Sequence, residues 1–370
     1  MVAATPESSA AEERISVASN WTLVWWRFRK HRLALFSAGL LVVLYAVVLC
    51  PDFFSTQDPE LTDARQAFIP VQGLHLFDQG FDPWVPGIVG KRNPVTLRME
   101  WTTDAARKVR VGFLVPGDSY RLFGLIETRL HLIGPREPGQ RIFLLGSDRL
   151  GRDQWSRIMH GTQTSMTIGL VAVTLSVILG VLLGGISGYF GGVSDQVIQR
   201  LIELLQAVPT IPIWLALAAA LPRDWTPQMV FFAITVILSL VGWTTLGREV
   251  RGRFLALREE DFVLAADLAG ASQGRIIFRH MVPTFLSHII ATSSLAIPVM
   301  IINETSLSFL GLGIRPPAIS WGVLLQEAQN IQTLALAPWL LIPGLLVIVA
   351  VLAFNLVGDG LRDASDPYSH

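Results

Sequence analysis

The chain has 370 residues, 51% of them hydrophobic and 16% charged, with 29 basic and 29 acidic side chains in exact balance. The apolar excess falls in several runs of membrane-spanning length, which excludes a soluble core as the general reading. The zero net charge names no partner, a single cysteine excludes an intramolecular disulfide, and seven scattered histidines offer no metal site.

Residues 1–20 are rich in Ala, Ser and Glu, and are expected to form a disordered cytoplasmic tail. The segment 21–50 is a cytoplasmic lead-in followed by the first span. Arg27, Arg29, Lys30 and Arg32 precede an apolar core that ends in Leu49-Cys50-Pro51. That ending lacks the small-residue pattern of a cleavage site, so the span reads as a retained signal anchor.

Residues 51–145 form a polar insertion punctuated by prolines from Pro51 to Pro138. Apolar runs such as Arg110 to Val115, bounded by Pro116-Gly117-Asp118, read as strands and turns. A small β-rich extracytoplasmic domain is expected here.

Six spans are expected, near 33–50, 164–189, 196–221, 228–247, 284–306 and 338–357. The second, fourth and sixth contain no Asp, Glu, Lys or Arg. Backbone groups cannot stay unsatisfied in hydrocarbon, so the spans must be helices. Gly180, Gly184 and Gly188 recur on one helix face and permit close helix approach. Pro209 and Pro212 interrupt the third span, through packing or as part of a pathway. Asn303 and Glu304 lie near the far end of the fifth span. An acid there is either a gate element or merely a solvated interfacial group. No row of Asp, Glu or His suggests a proton relay.

The basic clusters at 27–32 and 248–279 are expected to be cytoplasmic by the positive-inside rule. An even number of crossings then puts both termini inside, with 146–358 as the transmembrane core and 359–370 as a cytoplasmic tail. The loop Asp261 to Pro283, DFVLAADLAGASQGRIIFRHMVP, lies between two apolar spans. It is amphipathic, rich in arginine and broken at Gly270-Ala271-Ser272. Such a loop suits a grip for another protein. The chain has no phosphate-binding G-x-x-x-x-G-K-[ST] loop, no G-x-S-x-G elbow and no H-E-x-x-H helix, so energy from ATP must enter through another subunit.

Four motifs in order carry a family resemblance. Ala265-Ala266, Gly270 and Pro283 match the spacing of the EAA loop of ABC-importer permeases, with Leu264 and Val282 departing from its usual Glu and Leu. Leu145 to Met166, LGSDRLGRDQWSRIMHGTQTSM, resembles the block before the second span of peptide and nickel permeases. Glu304 to Gly313 with Pro316-Pro317 and Ser320-Trp321-Gly322, and Asn355 to Asp363 with Asp366-Pro367, complete the set. The chain resembles the permease subunit of a dipeptide, oligopeptide or nickel ABC importer.

The resemblance implies an all-α polytopic fold of six helices, of the type I importer kind, carrying the insertion. It implies a second permease subunit, two ATP-binding subunits, an extracytoplasmic solute-binding protein and the bilayer of a bacterial inner membrane as partners, with no nucleic acid. It implies no catalytic, metal or cofactor residue of its own, ATP being used by the partner subunits. It places Asp261, Ala265, Ala266, Gly270, Ala271, Ser272, Arg275, Arg279 and Pro283 in the coupling loop. Asp261 to Ala269 would be its first helix, Gly270 its turn, Ser272 the cap of the second helix, and Pro283 the opening of the fifth span. Peptides are the expected cargo, with nickel or another small solute as the alternative. A channel or secondary transporter fits the spans but leaves the loop unexplained, and a membrane-anchored receptor leaves five spans unexplained.

Overall fold

The computed structural model describes residues 20–77, 80–95, 99–137, 139–222 and 224–365. The tail expected over 1–20 lies outside these residues apart from Asn20, as do Pro138 and the Asp366-Pro367 pair.

Among the described residues two helices come first, α1 (Asn20–Phe28) and α2 (Arg32–Leu49), and one further turn, α3 (Pro51–Phe54), follows. Four strands come next: β1 (His75–Phe77), β2 (Phe81–Arg92), β3 (Met99–Leu122) and β4 (Ile126–Pro135). The remainder is helical: α4 (Gln154–Phe190), α5 (Gly192–Ala207), α6 (Thr210–Ala219) and α7 (Pro227–Leu257). Then come α8 (Asp261–Leu268), α9 (Gln273–Arg275), α10 (Leu286–Phe309), α11 (Trp321–Glu327), α12 (Ile331–Leu336) and α13 (Ile342–Ser365).

Among the described residues, five helical stretches are long and apolar enough to cross a membrane: Arg32–Leu49, Gln154–Phe190, Pro227–Leu257, Gln273–Phe309 and Pro338–Ala364. Helices α5 and α6 supply a sixth only when taken together, and they are bent by 89°. The third expected span is therefore a broken one rather than a straight rod. Proline forces the residue before it out of the helical region, and Val208, before Pro209, is extended with ψ 135°.

The longest helix, α4, has 37 residues. At 1.5 Å per residue it is about 55 Å long, well beyond a hydrocarbon core of about 30 Å. Its glycine stripe lies against α7. A Cβ on Gly188 would sit 2.6 Å from the Arg251 carbonyl oxygen, and Gly184 faces the Gly247 carbonyl directly. Small residues here bring the two backbones into contact, as expected for helices without a hydrophobic drive between them.

Helices α2, α4, α10 and α13 share a second core of Leu41, Leu44, Met166, Ile301, Ala353 and Phe354. Phe28, Ala34 and Ala364 pack together, so the first and last described helices meet on one side of the bundle. Large apolar residues of α2 such as Phe36 and Val42 remain exposed, the surface that lipid covers.

The insertion is an antiparallel meander in the order β1-β2-β3-β4. Its core is Val85, Val111, Ile133, Ile142 and Leu144, with Trp155 of α4 packed against it. One expectation needs correction. Pro116-Gly117-Asp118 does not end a strand: Pro116 pairs with Leu130, the register shifts, and pairing resumes at Tyr120 and Thr128. The first half of β3 pairs with β2 and the second half with β4. At Pro116 only one side is paired, so proline's missing N–H costs nothing. The true turn is at Phe123 and Gly124, with φ of 53° and 72°, closed by the Leu125 N–H donating to the Leu122 carbonyl at 3.1 Å.

Candidate functional site

The segment Asp261 to Pro283 folds as a compact helix–turn–helix at the end of α4 and α7 that lies away from the sheet. Helix α8 ends in a Schellman arrangement. The Ala271 N–H donates to the Ala266 carbonyl at 3.1 Å and the Gly270 N–H to the Asp267 carbonyl at 2.9 Å. Gly270 has φ 75°, a left-handed backbone that glycine adopts without steric cost. The Ser272 hydroxyl oxygen accepts from the Arg275 N–H at 3.4 Å and caps the next turn. The chain then widens into a π-type turn over Ile276–Met281 and tightens over Val282–Phe285, where Pro283 sits, before α10 begins.

One face of this unit is fixed. Val263, Ile276, Met281 and Phe285 pack with Leu246, Val250 and Phe254 of α7, and Ala266 and Ala271 join the edge of that cluster. The other face is open. Asp261, Ala265, Arg275, Arg279 and Pro283 are exposed, and so are Phe262, Leu264, Phe278 and above all Leu268, at 90%. Beside it, Arg251 of α7 grips Asp195 of α5 with two bonds, at 2.5 and 2.6 Å.

At the opposite end of α10, Glu304 is fully buried. This corrects the reading of Glu304 as a solvated interfacial acid. Its two oxygens accept from the hydroxyls of Ser165 on α4 and Ser308 on α10, each at 2.8 Å. Those serines in turn accept backbone N–H groups, Ser165 from Trp321 and Ser308 from Ile314, each at 3.1 Å. The carboxyl group thus holds the segment 310–321 at Ile314 and at Trp321. Ser165 and Ser308 close a clasp between two helices of this chain. Asn303 beside it is half-buried. Pro209 and Pro212 lie exposed at the α5–α6 bend, outside that network.

A second network on the sheet side was not singled out from the sequence. Asp148, buried before α4, meets Arg157 of α4 in a short ion pair, and Arg152 reaches it at 2.7 Å. Both arginines also reach Glu327 of α11, at 3.1 and 2.8 Å. Arg157 is 1% exposed. The run of charges in SDRLGRDQWSR was a local signal, but nothing near Glu327 marked it as the partner. Asp153 caps α4, accepting from the Ser156 N–H at 2.8 Å and the Thr56 hydroxyl at 2.9 Å. Burial pushes its carboxyl up, against the pull of those hydrogen bonds. Asp52, after the first span, lies 3.1 Å from His160. The hydrogen bond from His160 holds its carboxyl below the usual range, with partial burial opposing it. Among the described residues, no cluster of His, Cys, Asp and Glu could hold a metal ion.

Comparison with known proteins agrees with this architecture. A family model described as "Binding-protein-dependent transport system inner membrane component" matches residues 176–368, and one described as "N-terminal TM domain of oligopeptide transport permease C" matches 19–70. The whole sheet, from His75 to Pro135, lies between the two matches. The oligopeptide transport system permease protein OppC of Bacillus subtilis is 36% identical over 238 residues, covering 64% of this chain and 75% of that protein. The dipeptide transport system permease protein DppC of Alkalihalophilus pseudofirmus is 39% identical over 223 residues, covering 60% and 71%. Among solved structures, an inward-facing MetNI methionine ABC transporter gives a TM-score of 0.42 at 14% identity, covering 56% of this chain and 95% of that one, too slight a likeness to weigh. The chain belongs to the binding-protein-dependent transport system inner membrane component family, and it is a multi-pass permease subunit of an ABC transporter.

Proposed function

We propose that this chain imports peptides as half of a translocation pathway and receives its work through the loop Asp261 to Pro283. The observation that carries this reading is the two-sided loop: one face is packed rigidly on α7, and the other presents exposed Phe262, Leu264 and Leu268. Exposed apolar groups of this size mark a surface meant for another molecule. The partner is an ATP-binding subunit. Peptide cargo is supported by the oligopeptide and dipeptide permeases among the relatives.

In this reading a second permease subunit completes the pathway and two ATP-binding subunits hydrolyse the ATP. A solute-binding protein delivers cargo on the sheet side, which faces outward from a bacterial inner membrane. Residues 21–50, 146–358 and 359–370 are then lead-in with first span, permease core and cytoplasmic tail, and both termini are cytoplasmic. This chain supplies motion and a path, with no covalent chemistry. Closure of the ATPase displaces α8, and the rigid contact with α7 passes that displacement to the spans. The displacement shifts a two-state equilibrium, because the loop contacts its partner differently in the two states. At the far end Glu304 clasps the segment 310–321, with Asn303, Pro209 and Pro212 along the route the cargo takes.

Gly270→Val tests the coupling. A β-branched residue at that left-handed φ is strained by about 1–2 kcal/mol, and the strain distorts the turn that sets α8. Expected are normal membrane insertion, peptide uptake well below wild type, and ATP hydrolysis that no longer responds to loaded binding protein. Wild-type uptake by this variant in proteoliposomes would refute the role given to the loop.

A further inference from the structure

The turn of α7 that holds Val250 and Phe254 against the loop 261–283 also carries Arg251. That arginine reaches a different helix. Its guanidinium meets the Asp195 carboxylate of α5 through Nε at 2.5 Å and Nη2 at 2.6 Å. Both groups are half-buried, their side chains 31% and 20% exposed. A planar fork on a carboxylate fixes distance and orientation together, which a single point charge does not.

The acid is held in place from its own side. The chain leaves α4 and reverses through Gly191 and Gly192, with φ of 64° and 58°. Asp195 follows in the first turn of α5. The Ser187 hydroxyl, at the end of α4, donates to the same carboxylate, and the Gln199 side chain donates to the Ser187 oxygen at 3.1 Å. Gly188 of α4 packs on the Arg251 carbonyl. Three helices therefore meet at this pair, on the turn of α7 that bears the loop.

The two halves of the broken span are attached differently. The buried residues of α5 are Ile198 and Ile202, which cluster with Trp243 of α7. Gln206 of α5 donates to the Thr244 hydroxyl of α7 at 3.1 Å. Asp195, Ile198, Ile202 and Gln206 recur at helical spacing and form one face, while Val193, Val197 and Leu204 stay exposed. The other half, α6, is set into the main core, where Trp214 and Ala218 are buried with Ile234 and Leu238 of α7 and Met300 of α10. Between the halves lie extended Val208 and the 89° bend. A few residues at the end of an element absorb the change of φ and ψ when one part moves against another.

We propose that the Arg251–Asp195 pair is a positioning contact that passes the loop's displacement from the loop-side end of α7 into α5. Helix α5 then swings about the bend at Val208-Pro209 while α6 stays fixed in the core. The proposal rests on the coupling role given to the loop above. It adds that the broken span is the part driven, and it gives the break before Pro209 a mechanical purpose.

The test uses the complete transporter in proteoliposomes with its binding protein. Wild type is compared with Arg251→Gln, Asp195→Asn and the double variant. The number of ATP molecules hydrolysed per peptide imported is expected to rise severalfold in each single variant, with the ATP-binding subunits bound as in wild type. The double variant is expected to be no worse than either single one, because the two residues act as one contact. With Cys50→Ser, spin labels on Val197→Cys of α5 and Leu217→Cys of α6 should change their separation between the nucleotide-free and ATP-trapped states. Adding Arg251→Gln should abolish that change. A wild-type ratio in either single variant overturns the proposal, as do additive defects in the double variant or a label separation that ignores nucleotide. Loss of uptake and hydrolysis together with the ATP-binding subunits also overturns it, because the pair would then only hold the fold. Gly270→Val in the same vesicles separates the two readings. If it uncouples while Arg251→Gln does not, the pair fails and the loop stands. If it transports as wild type does, the loop reading fails and the pair falls with it.

Discussion

The two ends of α10 are built on opposite plans. Near Leu286 the chain leads into the loop 261–283, where backbone turns and one apolar face give the order and the outer face stays bare. Near Phe309 the order comes from buried polar groups. Glu304, Ser165 and Ser308 clasp the segment 310–321, and Asp148, Arg152, Arg157 and Glu327 tie α4 to α11. A buried polar group demands a partner of fixed geometry. An exposed apolar face demands only that something cover it. One end is thus ordered by polar contacts within the chain, and the other leaves an apolar face that the chain itself does not cover.

The largest expected effect comes from breaking the polar end. Arg157→Met leaves the buried Asp148 carboxylate with Arg152 as its remaining arginine partner. Removing one partner of a buried ion pair costs about 3–5 kcal/mol. The purified protein should melt well below wild type, and its membrane abundance should fall. An unchanged melting temperature would mean that the network does not hold the sheet side together.

A smaller effect is expected at Asp52, on the rim of that same end. Its carboxyl is held down chiefly by the hydrogen bond from His160, with the charges of His160 and His131 helping and partial burial opposing. A depressed carboxyl stabilises the fold above its unfolded pKa, near 3.9, and that contribution is lost as the pH falls through the folded value. The group is 40% exposed, so solvent screening limits the gain to about 0.5 kcal/mol. Asp52→Asn should melt slightly below wild type at pH 7, and that deficit should shrink as the pH falls below about 3.9. A deficit that persists unchanged in acid would assign the effect to something other than the carboxylate charge.

The smallest effect on stability is expected at the bare end. Leu268→Ser removes an apolar side chain that is 90% exposed, and surface changes of this kind stay within about 0.5 kcal/mol. The melting temperature of the isolated chain should hold, while recovery of the ATP-binding subunit with it after mild detergent extraction should drop. A lower melting temperature with full recovery of the partner would reverse the contrast between the two ends.

Features that rest on neighbours in sequence were legible in it. Apolar runs announced the spans, Gly180, Gly184 and Gly188 announced a close helix contact, and Ala266, Gly270 and Ser272 contained the whole logic of a turn between two helices. Pro209 announced a break, though not its 89° bend, which depends on what the two halves pack against. Pro116-Gly117-Asp118 looked like a turn because a strand's length is decided by its partners, and here a change of partner allowed the strand to run on. Glu304 could not be placed, because its burial depends on Ser165, 139 residues away. Glu327 could not be paired for the same reason.

The length of α4 has a mechanical meaning. A rod of about 55 Å that crosses a layer of about 30 Å is a lever with an arm on each side of its fulcrum. Its glycine stripe, pressed on α7, keeps the two from sliding independently. Its sheet-side end is pinned by Arg157 and Asp153, and its other end stands beside the loop 261–283. A tilt of about 5° around its middle moves each end by roughly 2 Å for a helix of that length. Such a step is several times the range of about 0.5 Å over which a hydrogen bond holds. A push too small to repack the loop itself is therefore large enough to break or remake the clasps at the far end.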